Sequence, residues 1–146
     1  VLLSMARICG EIARKLNPDA PHLPYGLGRI HFEESRLSMA SSKFNEVLEN
    51  SKTSPELLAK TKLYLGRIHQ QNGNGTKALE YFSELINQSP PHIEAYYYRA
   101  KTYQDQPDGK VRALSDYREY VRLNGINKED VETWIKNQES ERKFDF

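Results

Sequence analysis

The sequence predicts an all-α protein built from repeated helix pairs, and three observations carry that expectation. The pentapeptide Leu-Gly-Arg-Ile-His stands at residues 27–31 and again at 65–69. Apolar residues recur at helical spacing, as in Leu65 and Ile68 or Ala78, Tyr81, Phe82, Leu85 and Ile86. Between these stretches lie punctuating clusters, Gln-Asn-Gly-Asn-Gly-Thr at 71–76 and Asn-Gln-Ser-Pro-Pro at 87–91. Gly and Asn there permit positive φ, while Pro lacks the amide that a helix needs and disfavours helix before it.

The period follows from taking Gly28 and Gly66 as anchors, with Ala100 as the third. An alanine lies twelve residues after the first two anchors, Ala40 and Ala78, and thirteen after the third, Ala113. Four beyond each alanine comes an aromatic: Phe44, Phe82, Tyr117. Three after each anchor comes a ring: His31, His69, Tyr103. Such a period marks stacked supersecondary units that share a core with their neighbours. Small anchors make sense where paired helices approach closely, because a larger side chain would wedge them apart. Close contacts are expected at Gly28/Ala40, Gly66/Ala78 and Ala100/Ala113.

Taken in order, residues 1–18 read as the second helix of an incomplete repeat, since Ala6 keeps phase with Ala40 and Pro18 stands ten before Gly28 as Pro90 stands ten before Ala100. An apolar strip around Leu3, Ile8 and Ile12 is expected to lie exposed there, awaiting a helix from further upstream in a longer protein; the alternative is a lone capping helix. Three helix pairs follow at 21–54, 55–91 and 92–125. The last segment, 126–142, changes character: Asn127 offers an N-cap, acids fill the first turn, and Val131, Trp134 and Ile135 form a narrow apolar stripe. A capping helix needs one such face for the last repeat and a polar one for water.

These marks resemble the tetratricopeptide repeat family: a small residue, a ring three on, a turn glycine seven on, alanine twelve on, an aromatic sixteen on and proline near the end. The second unit carries all of them in Gly66, His69, Gly73, Ala78, Phe82 and Pro90. The first has Ser35 in place of the turn glycine; the third moves its turn to Pro107-Asp108-Gly109 and has Arg99 where the others carry Leu27 and Leu65. The resemblance covers roughly 21 to 124. It implies a right-handed α-α superhelix of about three helix pairs, with the first helix of each pair lining a concave groove.

Composition narrows the function. With 21 Lys+Arg against 20 Asp+Glu in 146 residues, the formal charge is +1, so no overall charge recruits nucleic acid or a membrane surface. One cysteine, Cys9, excludes an internal disulfide and a Cys-based zinc site. The opening Val-Leu-Leu-Ser-Met-Ala-Arg reads as neither a leader nor a membrane span, and the sequence assigns no compartment. His22, His31, His69 and His92 lack metal-ligand spacing, and the glycines at 73–75 are followed by no Gly-Lys-Ser/Thr. No catalytic residue, metal or cofactor is expected.

The groove positions that the resemblance implies include Tyr25, Arg29, Lys60, Tyr64, Arg67, Tyr97, Tyr98 and Lys101, and these are the expected peptide-binding residues. The residue after each anchor is a cation (Arg29, Arg67, Lys101), flanked by tyrosines. Cations beside an apolar floor suit a protein or peptide carrying acidic residues or a free carboxylate. At the positions where some family members clamp the C-terminal carboxylate of heat-shock chaperones, this chain has Tyr25, Arg29, Tyr64, Glu94 and Tyr98, which argues against that partnership. The expected function is a non-catalytic scaffold or adaptor. The alternatives are a regulatory or targeting segment of a larger enzyme, and a module that self-associates through its ends. Ser83→Ala, a charge-neutral change on an outer helix, is expected to leave binding unchanged.

Overall fold

The computed structural model describes residues 2–16 and 20–142, with the side chains of Leu2, Leu3, Ala6, Arg14, Leu16 and Arg142 left aside. Eight helices and no strand occur among the described residues: α1 (Leu2–Leu16), α2 (His22–Glu33), α3 (Leu37–Glu49), α4 (Pro55–Gln71), α5 (Gly75–Asn87), α6 (Ile93–Gln104), α7 (Lys110–Arg122) and α8 (Lys128–Arg142). They group into two compact units, Val1–Asn74 and Gly75–Phe146. The boundary falls between α4 and α5, inside the second of the expected helix pairs, because each unit buries a core of its own.

In the first unit α1 packs on α2, α2 on α3, and α4 on both α2 and α3. Gly28 lies where α2 meets α3: a Cβ there would stand 2.7 Å from the Phe44 ring. Phe44, Ala40 and Val47 of α3 are fully buried. Helix α4 starts at a sequence-encoded signal, Ser54-Pro55, where the Ser54 hydroxyl accepts from the Leu57 amide at 3.2 Å and Pro55 occupies the first turn. Of the apolar strip expected on α1, Ile8 and Ile12 are exposed, as is Met5. Leu3, Ala6 and Pro18, which figured in that expectation, lie outside the described residues or side chains.

In the second unit α5 packs on α6, α6 on α7 and α7 on α8. Its core joins Ala100, Ala113, Tyr117, Tyr120 and Val131, with Trp134 and Ile135 packed against them. Trp134 sets its edge against Tyr117, ring centres 4.8 Å apart, so α8 covers the end of the preceding pair. Gly66 and Ala78 are each buried, in different units.

Turn geometry recurs even where the residue changes. After α2, Arg36 N–H donates to the His31 carbonyl and Ser35 N–H to Phe32; after α4, Asn74 donates to His69 and Gly73 to Gln70; after α7, Gly125 donates to Tyr120 and Asn124 to Val121. Each is the paired closure that ends a helix on a left-handed residue. Only Gly73 (φ 75°) is a glycine there; Ser35 (φ 58°) and Asn124 (φ 61°) adopt the same conformation. The α6–α7 turn is built differently, with Asp108 left-handed and a Cβ at Gly109 barred by the Tyr103 carbonyl oxygen 1.7 Å away.

Candidate functional site: two ring-and-cation clusters

In the first unit the site residues come from two helices with matched spacing. Tyr25, Arg29 and Phe32 follow one another at i, i+4 and i+7 along α2; Lys60, Tyr64 and Arg67 do the same along α4. At 3.6 residues per turn each triplet occupies one stripe of its helix. The adjacency of α2 and α4 brings the stripes side by side. Tyr64 stands edge-on to Phe32 (5.2 Å) and to Tyr25 (6.1 Å), and it stacks on Phe44 of α3 at 5.1 Å with planes 20° apart. Tyr25 also meets Phe44, at 6.0 Å. Gly28 permits this floor, since any side chain there would push Phe44 away.

Charge surrounds the rings. The Arg67 guanidinium lies over Phe32 at 4.6 Å and over Tyr64 at 5.1 Å. That double cation–π contact holds it half-buried, whereas Arg29 is exposed. Burial pushes the Tyr25 hydroxyl pKa up, and neighbouring Tyr64 adds to the rise; Arg29 and Lys60 oppose it, so both cations act on this hydroxyl. Lys60 also pairs with Glu56 one turn earlier, at 2.6 Å and with both groups exposed. Tyr25, Arg29, Lys60, Tyr64 and Arg67 thus form one cluster. Phe44, at its apolar centre, was not among the expected groove residues, whereas Phe32, which completes the α2 stripe, is one of the groove positions that the resemblance implies.

The second unit holds Tyr97, Tyr98 and Lys101 on α6. Tyr98 stacks on Phe82 of α5, 6.0 Å apart with planes 25° apart, repeating the Tyr64–Phe44 arrangement. The Lys101 ammonium stands 5.7 Å over the Tyr97 ring. Tyr97 in turn lies 5.4 Å from Tyr120 and 5.9 Å from Tyr117, so much of its ring is committed to the core. The buried Tyr120 hydroxyl bonds Glu94 at 3.3 Å and accepts from the Asn127 amide at 3.0 Å, tying α6 to the start of α8.

Sequence reasoning missed the polar centre of this unit. Arg99, at the position filled by leucine in the other repeats, makes a two-pronged contact with Asp116, both bonds 2.8 Å, and donates to Ser83 Oγ at 3.1 Å. The hydrogen bonds to Asp116 raise the arginine pKa further, against its burial. Ser83 is therefore a structural acceptor on α5. The lone signal was the arginine itself at an otherwise apolar register.

Among the described residues no three His, Cys, Asp or Glu side chains gather closely enough to hold a metal ion, and no helix is long and apolar enough to cross a membrane. Compared with known proteins, the chain matches no family model and no curated protein.

Proposed function

We propose that this chain is a non-catalytic protein-interaction module of the tetratricopeptide kind, a right-handed superhelix of helix pairs acting as scaffold or adaptor. Its ligand is an acidic peptide segment or a free C-terminal carboxylate, docked on the α2/α4 face of the first unit. The observation that supports this reading is the cluster of Tyr25, Phe32 and Tyr64 with Arg29, Lys60 and Arg67 around it. Rings supply area at small conformational cost, and the cations supply charge-assisted hydrogen bonds to carboxylate oxygens. Lys60 is paired with Glu56 at the exposed edge of the cluster.

The test is fluorescence anisotropy with a labelled Glu-rich peptide ending in a free carboxylate, beside a Gln-substituted, amidated control at fixed salt. The acidic peptide should bind and the control should not. A rim ion pair contributes only ~0–1 kcal/mol, but truncating a desolvated one costs ~2–5 kcal/mol. Arg29→Ala with Arg67→Ala should therefore weaken binding well beyond tenfold. The same double change should cost little stability, about 0.5–1 kcal/mol for the lost cation–π contact. Equal binding of both peptides, or of parent and double variant, would remove this face from consideration.

A further inference from the structure

We propose a second site: an anion-binding pocket between α1, α2 and α3, which takes a carboxylate or phosphate group. It occupies the other side of α2 from the ring cluster. Successive residues turn by about 100°, which sets Leu27 and His31 roughly opposite Tyr25, Arg29 and Phe32. The pocket, about 500 Å³, is lined by Arg7 and Glu11 of α1, Leu27 and His31 of α2, and Arg36, Met39 and Lys43 at and along α3.

Two features point to an anion. First, cations outnumber acids in the lining, three to one, and their own partners leave donor capacity unused. The Arg7 and Arg36 guanidiniums share a single oxygen, Glu34 Oε2, each at 3.5 Å. Good charge-assisted bonds are nearer 2.7–2.9 Å, and each guanidinium carries five N–H donors. Lys43 is occupied by Glu46. Second, the His31 side chain is 8 % exposed and its Nδ1 has no hydrogen-bond partner; Glu34 Oε2 stands off at 3.9 Å. A buried polar atom without a partner is uncommon and calls for a reason, such as a bound ion or water. An anionic oxygen entering between the guanidiniums would accept from both and from an Nδ1–H of neutral His31, with Leu27 and Met39 as the apolar wall. The field agrees with this: burial lowers the His31 pKa, Glu34 opposes that, and Arg36, Arg7 and Lys43 lower it further.

The experiment is a titration of the whole chain with inorganic phosphate and, separately, sodium acetate, each against sodium chloride of matched ionic strength. Histidine ring resonances are followed by NMR. His31 should shift saturably and its pKa should rise as the anion binds, while exposed His22 provides the internal reference. Saturation by either anion supports the site, and the tighter one identifies the source as phosphate or carboxylate. Arg7→Gln with Arg36→Gln should weaken that binding about tenfold or more, with the helical circular dichroism spectrum unchanged. If His31 moves only in step with His22, or equally in chloride, the proposal is overturned by the parent protein alone, whatever the variant does. The α2/α4 cluster contains neither arginine, so loss of peptide binding there leaves this result intact.

Discussion

The two units meet the same packing requirement with different chemistry at the residue before the anchor. The first unit buries Leu27 there, and Gly28 beside it admits the Phe44 ring. The second buries much of Arg99, which would be costly alone, and answers the charge with both oxygens of Asp116 and with Ser83. An apolar contact tolerates small errors of position, because the hydrophobic effect has no direction. A desolvated ion pair does not, since its Coulomb gain offsets desolvation only while the geometry holds. The same helix-pair register can thus be held by apolar packing in one unit and by a directional pair in the other.

The largest expected effect breaks that pair on one side. Asp116→Ala leaves the guanidinium, 19 % exposed, without its carboxylate, and should cost ~3–5 kcal/mol in denaturant unfolding. Converting the second unit to the chemistry of the first, with Arg99→Leu and Asp116→Ala together, should recover most of that loss, because exchanging a buried pair for apolar packing is often near neutral. A double variant as unstable as Asp116→Ala alone would show that the pair's shape, and not its charge, holds α6 against α7.

This pair was also the least legible part of the sequence. Periodicity places Ala100, Ala113 and Tyr117 in a core because burial imposes a repeating pattern, and those residues are buried. Periodicity is silent on which partner a buried arginine finds seventeen residues away, since that depends on rotamers and on the angle between helices. The turns show the same limit. Gly73 announces its left-handed conformation, whereas Ser35 and Asn124 adopt it without a glycine, held by the backbone bonds that close α2 and α7. At the site, the resemblance brought Tyr25 and Tyr64 into view as members of an expected groove. It did not reveal that Tyr64 rests on Phe44, or that Tyr97 is shared with the core around Tyr120.

A smaller effect compares the anchors themselves. In Gly28→Ala the new methyl would meet three Phe44 ring atoms at 2.7–3.0 Å, and that ring is wholly buried. Overpacking of this kind costs ~1–3 kcal/mol, offset by up to ~1 kcal/mol of helix propensity. The net expectation is a loss of about 1–2 kcal/mol in the first unit, read as a lower denaturant midpoint at unchanged slope. The reverse change in the second unit, Ala100→Gly, should also destabilise, through a lost buried methyl of about 0.8 kcal/mol and a helix penalty of about 1 kcal/mol. If Gly28→Ala instead stabilises, Phe44 has room to retreat and the close approach at this anchor is not a constraint.

The smallest expected effect is a pH dependence at the ring that follows the anchor. The rings three residues after the anchors are His31 and His69 in the first unit and Tyr103 in the second, so only the first can gain a proton at that position near neutrality. Burial holds the His31 pKa below its ordinary 6.5, with Glu34 pulling the other way. The unfolded chain therefore binds the proton more readily than the folded one, and stability must rise with pH across that interval. The contribution is fully present above about pH 6.5 and is lost as pH falls through the interval toward the folded value. Amide hydrogen exchange of α2 and α3, followed from pH 7.5 down to 5, should show this unit losing protection relative to α6 and α7 once intrinsic exchange rates are allowed for. In His31→Tyr, which copies the second unit's ring, the difference between the two units should flatten. A flat profile in the parent would mean that Glu34, nearest to Nδ1, compensates the proton in full.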